Sequence, residues 1–225
     1  MGHFRPRSRR PGPARLRPAG SVPVVTAGPE PRTARVAAKF RAVMEELGLD
    51  LGDPNLAGTE YRVARAFGEL FAGLTAAEPE LRTFPNTERY REMVTVGDIP
   101  FYTVCAHHFL PFFGTAQVAY LPGDRIVGLS KLARVVEHFA RRPQVQERMT
   151  EQIVSCLERQ LAPRGAIVVI QARHFCMEMR GIGKPGLTTT TSAARGAFTE
   201  ERRRRAFLAL LPARPGGVPS LEHGS

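Results

Sequence analysis

The spacing of apolar residues changes along the chain between a helical period and an extended one, and this change restricts the fold class more than any other feature. Apolar residues recur every three or four positions in four stretches, which predicts amphipathic helices. Runs rich in β-branched and aromatic residues lie between and after these stretches and predict strands. The order of two helices, strands, two helices and strands predicts an α+β domain with antiparallel strands. The helices are predicted over 35–47, 59–74, from 130 to before 143, and over 145–161, and the extended segments over 92–96, 99–105, 114–121, 166–180 and 188–198.

Two hydroxyl residues are predicted to cap helices. Thr59 stands before the second helical stretch and Ser130 before the third. Such side-chain oxygens accept hydrogen bonds from the free backbone N–H groups of a first helical turn. Both helices are therefore expected to begin directly after these residues.

The composition divides the chain into four regions. Residues 1–34 hold seven prolines and seven arginines with few large apolar groups, which predicts a disordered arm. That arm is either a solvated extension or a tail that binds a polyanion. We expect an N-terminal helical region over 35–83, a main folded domain over 84–211 and a flexible tail over 212–225.

The formal net charge of +11 would suit a nucleic-acid-binding protein if it were spread over the folded part of the chain. Residues 1–34 hold seven arginines and one glutamate, and residues 200–225 hold five arginines and three glutamates. Most of the excess charge therefore lies in the two ends. We do not expect nucleic acid as a partner.

The sequence also favours a cytoplasmic protein without membrane partners. No apolar run approaches the ~18 residues that a membrane-spanning helix requires, and no apolar segment follows the charged N-terminus as it would in a secretory signal. The three cysteines are an odd number, which argues against a disulfide framework and leaves thiols available for a metal.

Soft metal ligands occur in two separated places. The first is Cys105-Ala106-His107-His108, and the second is His174-Phe175-Cys176, where an extended chain would direct His174 and Cys176 to one side. Thiolate and imidazole ligands suit Zn²⁺, and three protein ligands leave a fourth position open, as in catalytic zinc sites. His107 and His174 are candidates for moving protons. The alternative is that both cysteines are simply buried apolar residues.

Polar residues at two predicted helix starts suggest ligand binding. Ser130, Lys131 and Arg134 stand where free N–H groups and the helix dipole favour a phosphate, and Arg180 would add a charge beside the metal. Glu147, in the polar run that opens the next helix, could accept two parallel hydrogen bonds from a planar edge such as that of guanine. The alternative for both groups is an ordinary solvated helix start.

Four separated motifs, taken in order, resemble GTP cyclohydrolase I. They are CAHHFLPF at 105–112, GLSKLAR at 128–134, RRPQVQER at 141–148 and HFCMEMRG at 174–181. The resemblance extends from about Arg35 to Phe198 and includes Phe84-Pro85-Asn86. Only the two ends of the chain lie outside it.

The resemblance implies a T-fold, with an antiparallel sheet, paired helices on one face and an N-terminal helical extension, assembled as a homodecamer with sites between subunits. It implies conversion of GTP and water to 7,8-dihydroneopterin triphosphate and formate, for pterin and folate or for deazapurine synthesis. The resemblance assigns zinc binding to Cys105, His108 and Cys176, and proton transfer to His107 and His174. It assigns guanine recognition to Gln146 and Glu147. Binding of ribose and triphosphate is assigned to Ser130, Lys131, Arg134, Arg180 and an Arg62 from a neighbouring subunit.

The sequence departs from the family pattern at three positions. Ala106 replaces a usual glutamate, Gln117 a common histidine and Glu60 a usual proline. Ala106 removes a carboxylate beside two metal-site residues, so a related hydrolase that only opens the purine ring, or that takes another substrate, is the alternative function. A non-catalytic metal-binding scaffold is a third.

Overall fold

The computed structural model describes residues 31–211, so most of the predicted arm and all of the predicted tail lie outside the described residues. The first described helix, Pro31–Glu46, already includes the residues before the predicted start at 35. No helix within 31–211 is long and apolar enough to cross a membrane.

Helices and strands follow one another in the predicted order, with shorter elements added between and after them. The helices are α1 Pro31–Glu46, α2 Thr59–Leu70, α3 Leu129–Ala140, α4 Gln146–Leu161, α5 Phe175–Glu178 and α6 Glu201–Leu210. The strands are β1 Thr83–Pro85, β2 Val94–Cys105, β3 Pro111–Leu121, β4 Arg125–Val127, β5 Pro143–Gln144, β6 Gly165–His174 and β7 Thr188–Gly196.

The main sheet has the order β5-β2-β3-β6-β7. All its neighbours are antiparallel except β5, which pairs parallel to the end of β2. The predicted runs 92–96 and 99–105 form one strand, β2, whose register shifts between Val96 and Ile99. The Gln117 amide holds this bulge, since it accepts from the backbone N–H of Asp98 and donates to its carboxylate.

The sheet buries apolar side chains on both faces, as the alternation along its strands requires. On one face α3 and α4 pack side by side and form the larger core. On the other face Phe198 and Phe207, from the C-terminal segment, cover a smaller one. The α+β class and the paired helices on one face are confirmed.

Three local predictions are wrong. The caps of α2 and α3 are Gly58 and Gly128, and neither makes a side-chain hydrogen bond. Thr59 and Ser130 lie within the first turns instead. The extended segment predicted over 166–180 ends at His174, where the chain turns into α5.

Candidate active site

A tight turn at the end of β2 carries the first ligand pair. Cys105 closes it twice, because its carbonyl accepts from the N–H of Phe109 at 2.9 Å and its own N–H donates to the Leu110 carbonyl at 2.8 Å. Phe109 adopts a positive φ of 55° within this turn. The turn brings the Cys105 sulfur to 3.8 Å from Nδ1 of His108 and 3.9 Å from Nδ1 of His107.

Cys176 approaches this turn from β6. The ligand atoms of Cys105, His108 and Cys176 all lie within 4.8 Å of one another. The structure thus brings together the three residues predicted to hold a metal, although α5, and not an extended chain, positions the third. Cys105 is buried, Cys176 half-buried and His108 exposed, so the site opens to solvent on one side.

The donor set fits zinc. Two thiols and one imidazole are the ligands that zinc prefers in sites with an open position. Burial, and next the neighbouring Cys105, raise the pKa of the Cys176 thiol. A divalent cation reverses this effect, because it favours the thiolate form of both cysteines.

His174 lies at the end of β6, stacked on Phe112 with ring centroids 4.4 Å apart. Its Nε2 is 2.7 Å from Oε1 of Gln146. The amide nitrogen of Gln146 donates to the carbonyls of Ile170 and Thr189, so its oxygen faces the imidazole as an acceptor. Burial lowers the pKa of His174, and the carboxylates of Glu147 and Glu178 oppose this. Gln146 is itself buried and orients His174; its role with guanine stays a prediction.

The remaining predicted residues at this end of the sheet are exposed. His107 follows Cys105, Glu147 lies in the first turn of α4 and acts electrostatically on His174, and Arg180 follows α5. Ala106 is half-buried, and its N–H donates to the Gln144 carbonyl of β5. Its methyl group offers no acid or base beside the two histidines.

The predicted anion-binding group lies elsewhere. Ser130, Lys131 and Arg134 stand at the start of α3, which follows β4 at the end of the sheet opposite the metal ligands. The helix spans 12 residues, or about 18 Å, before β5 reaches Cys105. Arg62 lies on α2 and donates to the Ala57 carbonyl and the Thr59 hydroxyl. One chain therefore does not unite these residues with the metal group.

Sequence reasoning missed the aromatic support of the metal turn. Phe67 of α2 stacks on Phe71, which directly follows this helix, and the ring of Phe109 lies edge-on to both, with centroids 6.5 and 5.7 Å away. Their spacing of four residues marked one helix face, but nothing in it indicated that Phe109 would be the partner. The N-terminal helical region thus supports the turn that carries Cys105 and His108.

Comparison with known proteins identifies the family of this chain. The model of the family described as GTP cyclohydrolase I matches residues 36–211. A GTP cyclohydrolase 1 of Mycolicibacterium gilvum is 52% identical over 175 residues, which is 77% of this chain and 87% of that protein. Those of Thermobifida fusca and Carboxydothermus hydrogenoformans are both 49% identical, over 76% of this chain and over 84% and 90% of their own lengths.

Proposed function

The chain belongs to the GTP cyclohydrolase I family, an enzyme family with the T-fold, and on that premise we propose that it is a zinc-dependent GTP cyclohydrolase. The proposed reaction converts GTP and water to 7,8-dihydroneopterin triphosphate and formate. The observation that carries the proposal is the meeting of Cys105, His108 and Cys176 from two distant parts of the chain. Zinc held by such ligands supplies a Lewis acid and activates water for attack on carbon.

The residues around the metal ligands suit the other tasks of this reaction. His107 is exposed beside the metal turn and can give a proton to the imidazole nitrogen of the substrate. His174, oriented by Gln146 and Phe112, can move protons at the ribose in later steps. Glu147 is exposed at the start of α4 and is free to accept hydrogen bonds from guanine. Arg180 supplies positive charge on the same side.

We infer that a second copy of the chain completes each site, as the proposed decamer requires. The phosphate-binding residues Ser130, Lys131 and Arg134 stand about one helix length from the metal ligands of their own chain. At this distance one nucleotide does not reach both groups of residues. Large apolar side chains are exposed near the metal end, as a subunit contact requires. They include Tyr102 (64% exposed), Phe109 (54%), Met179 (65%) and Ile182 (63%).

One observation favours a second candidate function. Ala106 leaves the metal turn without the carboxylate that the family usually has there. An enzyme that opens the imidazole ring of a purine nucleotide but does not complete the later steps is therefore the alternative.

The test is to incubate the purified, zinc-loaded protein with GTP, with and without a chelator, and to quantify formate and dihydroneopterin triphosphate. We expect equal amounts of both products, and loss of both with the chelator. Formate without the pterin establishes the alternative function. Absence of any reaction with GTP contradicts both.

A further inference from the structure

The turn that carries Cys176 has little apolar packing to hold it. α5 consists of four residues and fully buries none of them. The loop that follows, over 179–187, is exposed throughout and has glycines of positive φ at Gly181, Gly183 and Gly186. One ring contact, Phe175 edge-on to Phe113 at 5.4 Å, anchors the start of α5. Cys176 packs against the larger core but is only half-buried, so apolar contacts contribute only part of what holds it opposite Cys105.

A bidentate ion pair spans this turn. Arg173 donates from Nε to one carboxylate oxygen of Glu178 at 2.7 Å and from Nη2 to the other at 2.5 Å. The two side chains are only 21% and 7% exposed. Paired hydrogen bonds between charged groups shielded from water are stronger and more directional than those of surface pairs. The contact closes a short ring of chain that contains both His174 and Cys176.

The two partners have different anchors. Arg173 lies within the sheet, opposite Phe113 of β3 and Thr188 of β7. Glu178 ends α5, and the pKa of its carboxyl is lowered first by the hydrogen bonds from Arg173 and further by the backbone N–H of Gly186. The N–H of Lys184 donates to the Met177 carbonyl at 3.0 Å. Glu178 therefore ties the sheet, the turn and the following loop together.

We propose that Arg173 and Glu178 are positioning residues for the metal centre. Their ion pair keeps Cys176 within metal-binding reach of Cys105 and His108, and it fixes the start of the loop that carries Arg180. The inference rests on the proposed zinc-dependent function, but it concerns two residues that touch neither metal nor substrate.

The first test is zinc affinity, measured by competition with a chromogenic chelator at fixed pH. Residues that orient metal ligands from outside typically change affinity by 10- to 100-fold. We expect Arg173→Gln and Glu178→Gln each to weaken zinc binding by about tenfold or more. The double variant should lose no more than either single one, because each substitution already breaks the same contact. Wild-type affinity in the single variants, or losses that add in the double variant, overturns the proposal.

The matched control is Arg195→Gln. Arg195 lies on β7, next to β6, and pairs with Glu151 at 2.5 Å, with side chains 32% and 55% exposed. This substitution removes that pair and a second contact of Arg195, with Glu158 at 3.4 Å, at a place in the main sheet far from α5. We expect it to leave zinc affinity unchanged, and an equal loss in this variant would mean that the effect of Arg173→Gln is a general loss of charge.

A second measurement does not need zinc. Hydrogen–deuterium exchange of the full chain reports the amides of Met179 and Lys184, which donate to the carbonyls of Phe175 and Met177. In both glutamine variants the amides of the peptides over 174–187 should exchange faster than in the wild type. The exchange rates elsewhere in the sheet should not change. If the wild type fails to bind zinc, the proposed function is wrong, and the exchange result still decides whether the ion pair holds the turn. Unchanged exchange at these amides overturns the positioning role.

Discussion

Cys176 is the ligand on which the proposed metal site depends most, since it alone links β6 to the turn after β2. A serine hydroxyl is a poor substitute for a thiolate at zinc. We expect Cys176→Ser to lose bound zinc and cyclohydrolase activity together, as measured by metal analysis and product formation. Cys156→Ala is the control: this cysteine is buried in α4, and burial raises the pKa of its thiol to about 12. The Cys156→Ala variant should keep its zinc. Unchanged zinc content in Cys176→Ser would falsify the ligand assignment.

Glu147 offers a separate test of substrate recognition. Glu147→Gln removes the negative charge and replaces one acceptor oxygen by an NH₂ donor at the exposed start of α4, without touching a metal ligand. Hydrogen bonds to charged groups contribute about 1.5–3 kcal/mol, so we expect kcat/KM for GTP to fall by roughly 10- to 150-fold while zinc stays bound. Steady-state kinetics with GTP and ATP measure this change and the preference between purines.

The control for Glu147 lies one helical turn further along α4. Glu151→Gln breaks a surface contact with Arg195 and should leave the kinetics with GTP unchanged. An unaltered preference for GTP over ATP in Glu147→Gln would mean that another group reads the base.

The pairing of β3 with β6 is what places the two halves of the metal site at one end of the sheet, and Gly114 is the described glycine with the least room for a side chain. A Cβ at this residue would stand 1.8 Å from the Gln171 carbonyl oxygen, which is backbone and cannot move aside. We expect Gly114→Ala to lower the free energy of unfolding by about 3 kcal/mol or more. Denaturant unfolding at matched protein concentration measures it.

Gly68 provides the comparison, because a Cβ there has no heavy atom within 4 Å. Gly68→Ala lies inside α2 and should raise stability by up to about 1 kcal/mol. Equal stability of Gly114→Ala and wild type would show that β3 and β6 do not pack as closely as described.

Strong periodic segments were predictable from the sequence, and short elements that depend on distant partners were not. The stripes of α3 and α4 and the runs of β2, β3 and β6 follow local spacing. The two-residue strand β5 exists only because β2 lies beside it, and no local pattern indicates it. The turn of α5 was likewise missed, since it depends on an ion pair between Arg173 and Glu178.

The chemistry of the site was more predictable from the sequence than its geometry. Residue types indicated soft ligands at 105–108 and 174–176, the family resemblance assigned Cys105, His108 and Cys176 among them, and the structure brings these three together. The position of Gln146 was not predictable, because its burial against His174 follows from the packing of α4 on β6 and β7. Charged residues at a helix start, such as Lys131, gave no information on which chain they would serve.

At the scale of the whole molecule, one chain does not bring its metal ligands and its phosphate-binding residues together. In the structure the metal ligands and the residues Ser130, Lys131 and Arg134 lie at opposite ends of the main sheet. If a neighbouring copy supplies the phosphate-binding residues, defects in the two groups can compensate each other. A Cys176→Ser chain keeps all of its phosphate-binding residues intact. A Lys131→Ala chain keeps all three metal ligands intact.

Co-expression of these two chains therefore tests the shared site. Each variant alone should have little activity. In randomly mixed oligomers roughly a quarter of the sites combine intact metal ligands from one chain with intact phosphate-binding residues from another. About that fraction of wild-type activity should therefore return. Mixing the separately purified chains after assembly is the control, because sites form only when subunits exchange. If activity after co-expression is no higher than that of either variant, each site is built from one chain, and the exposed apolar residues near the metal end serve another contact.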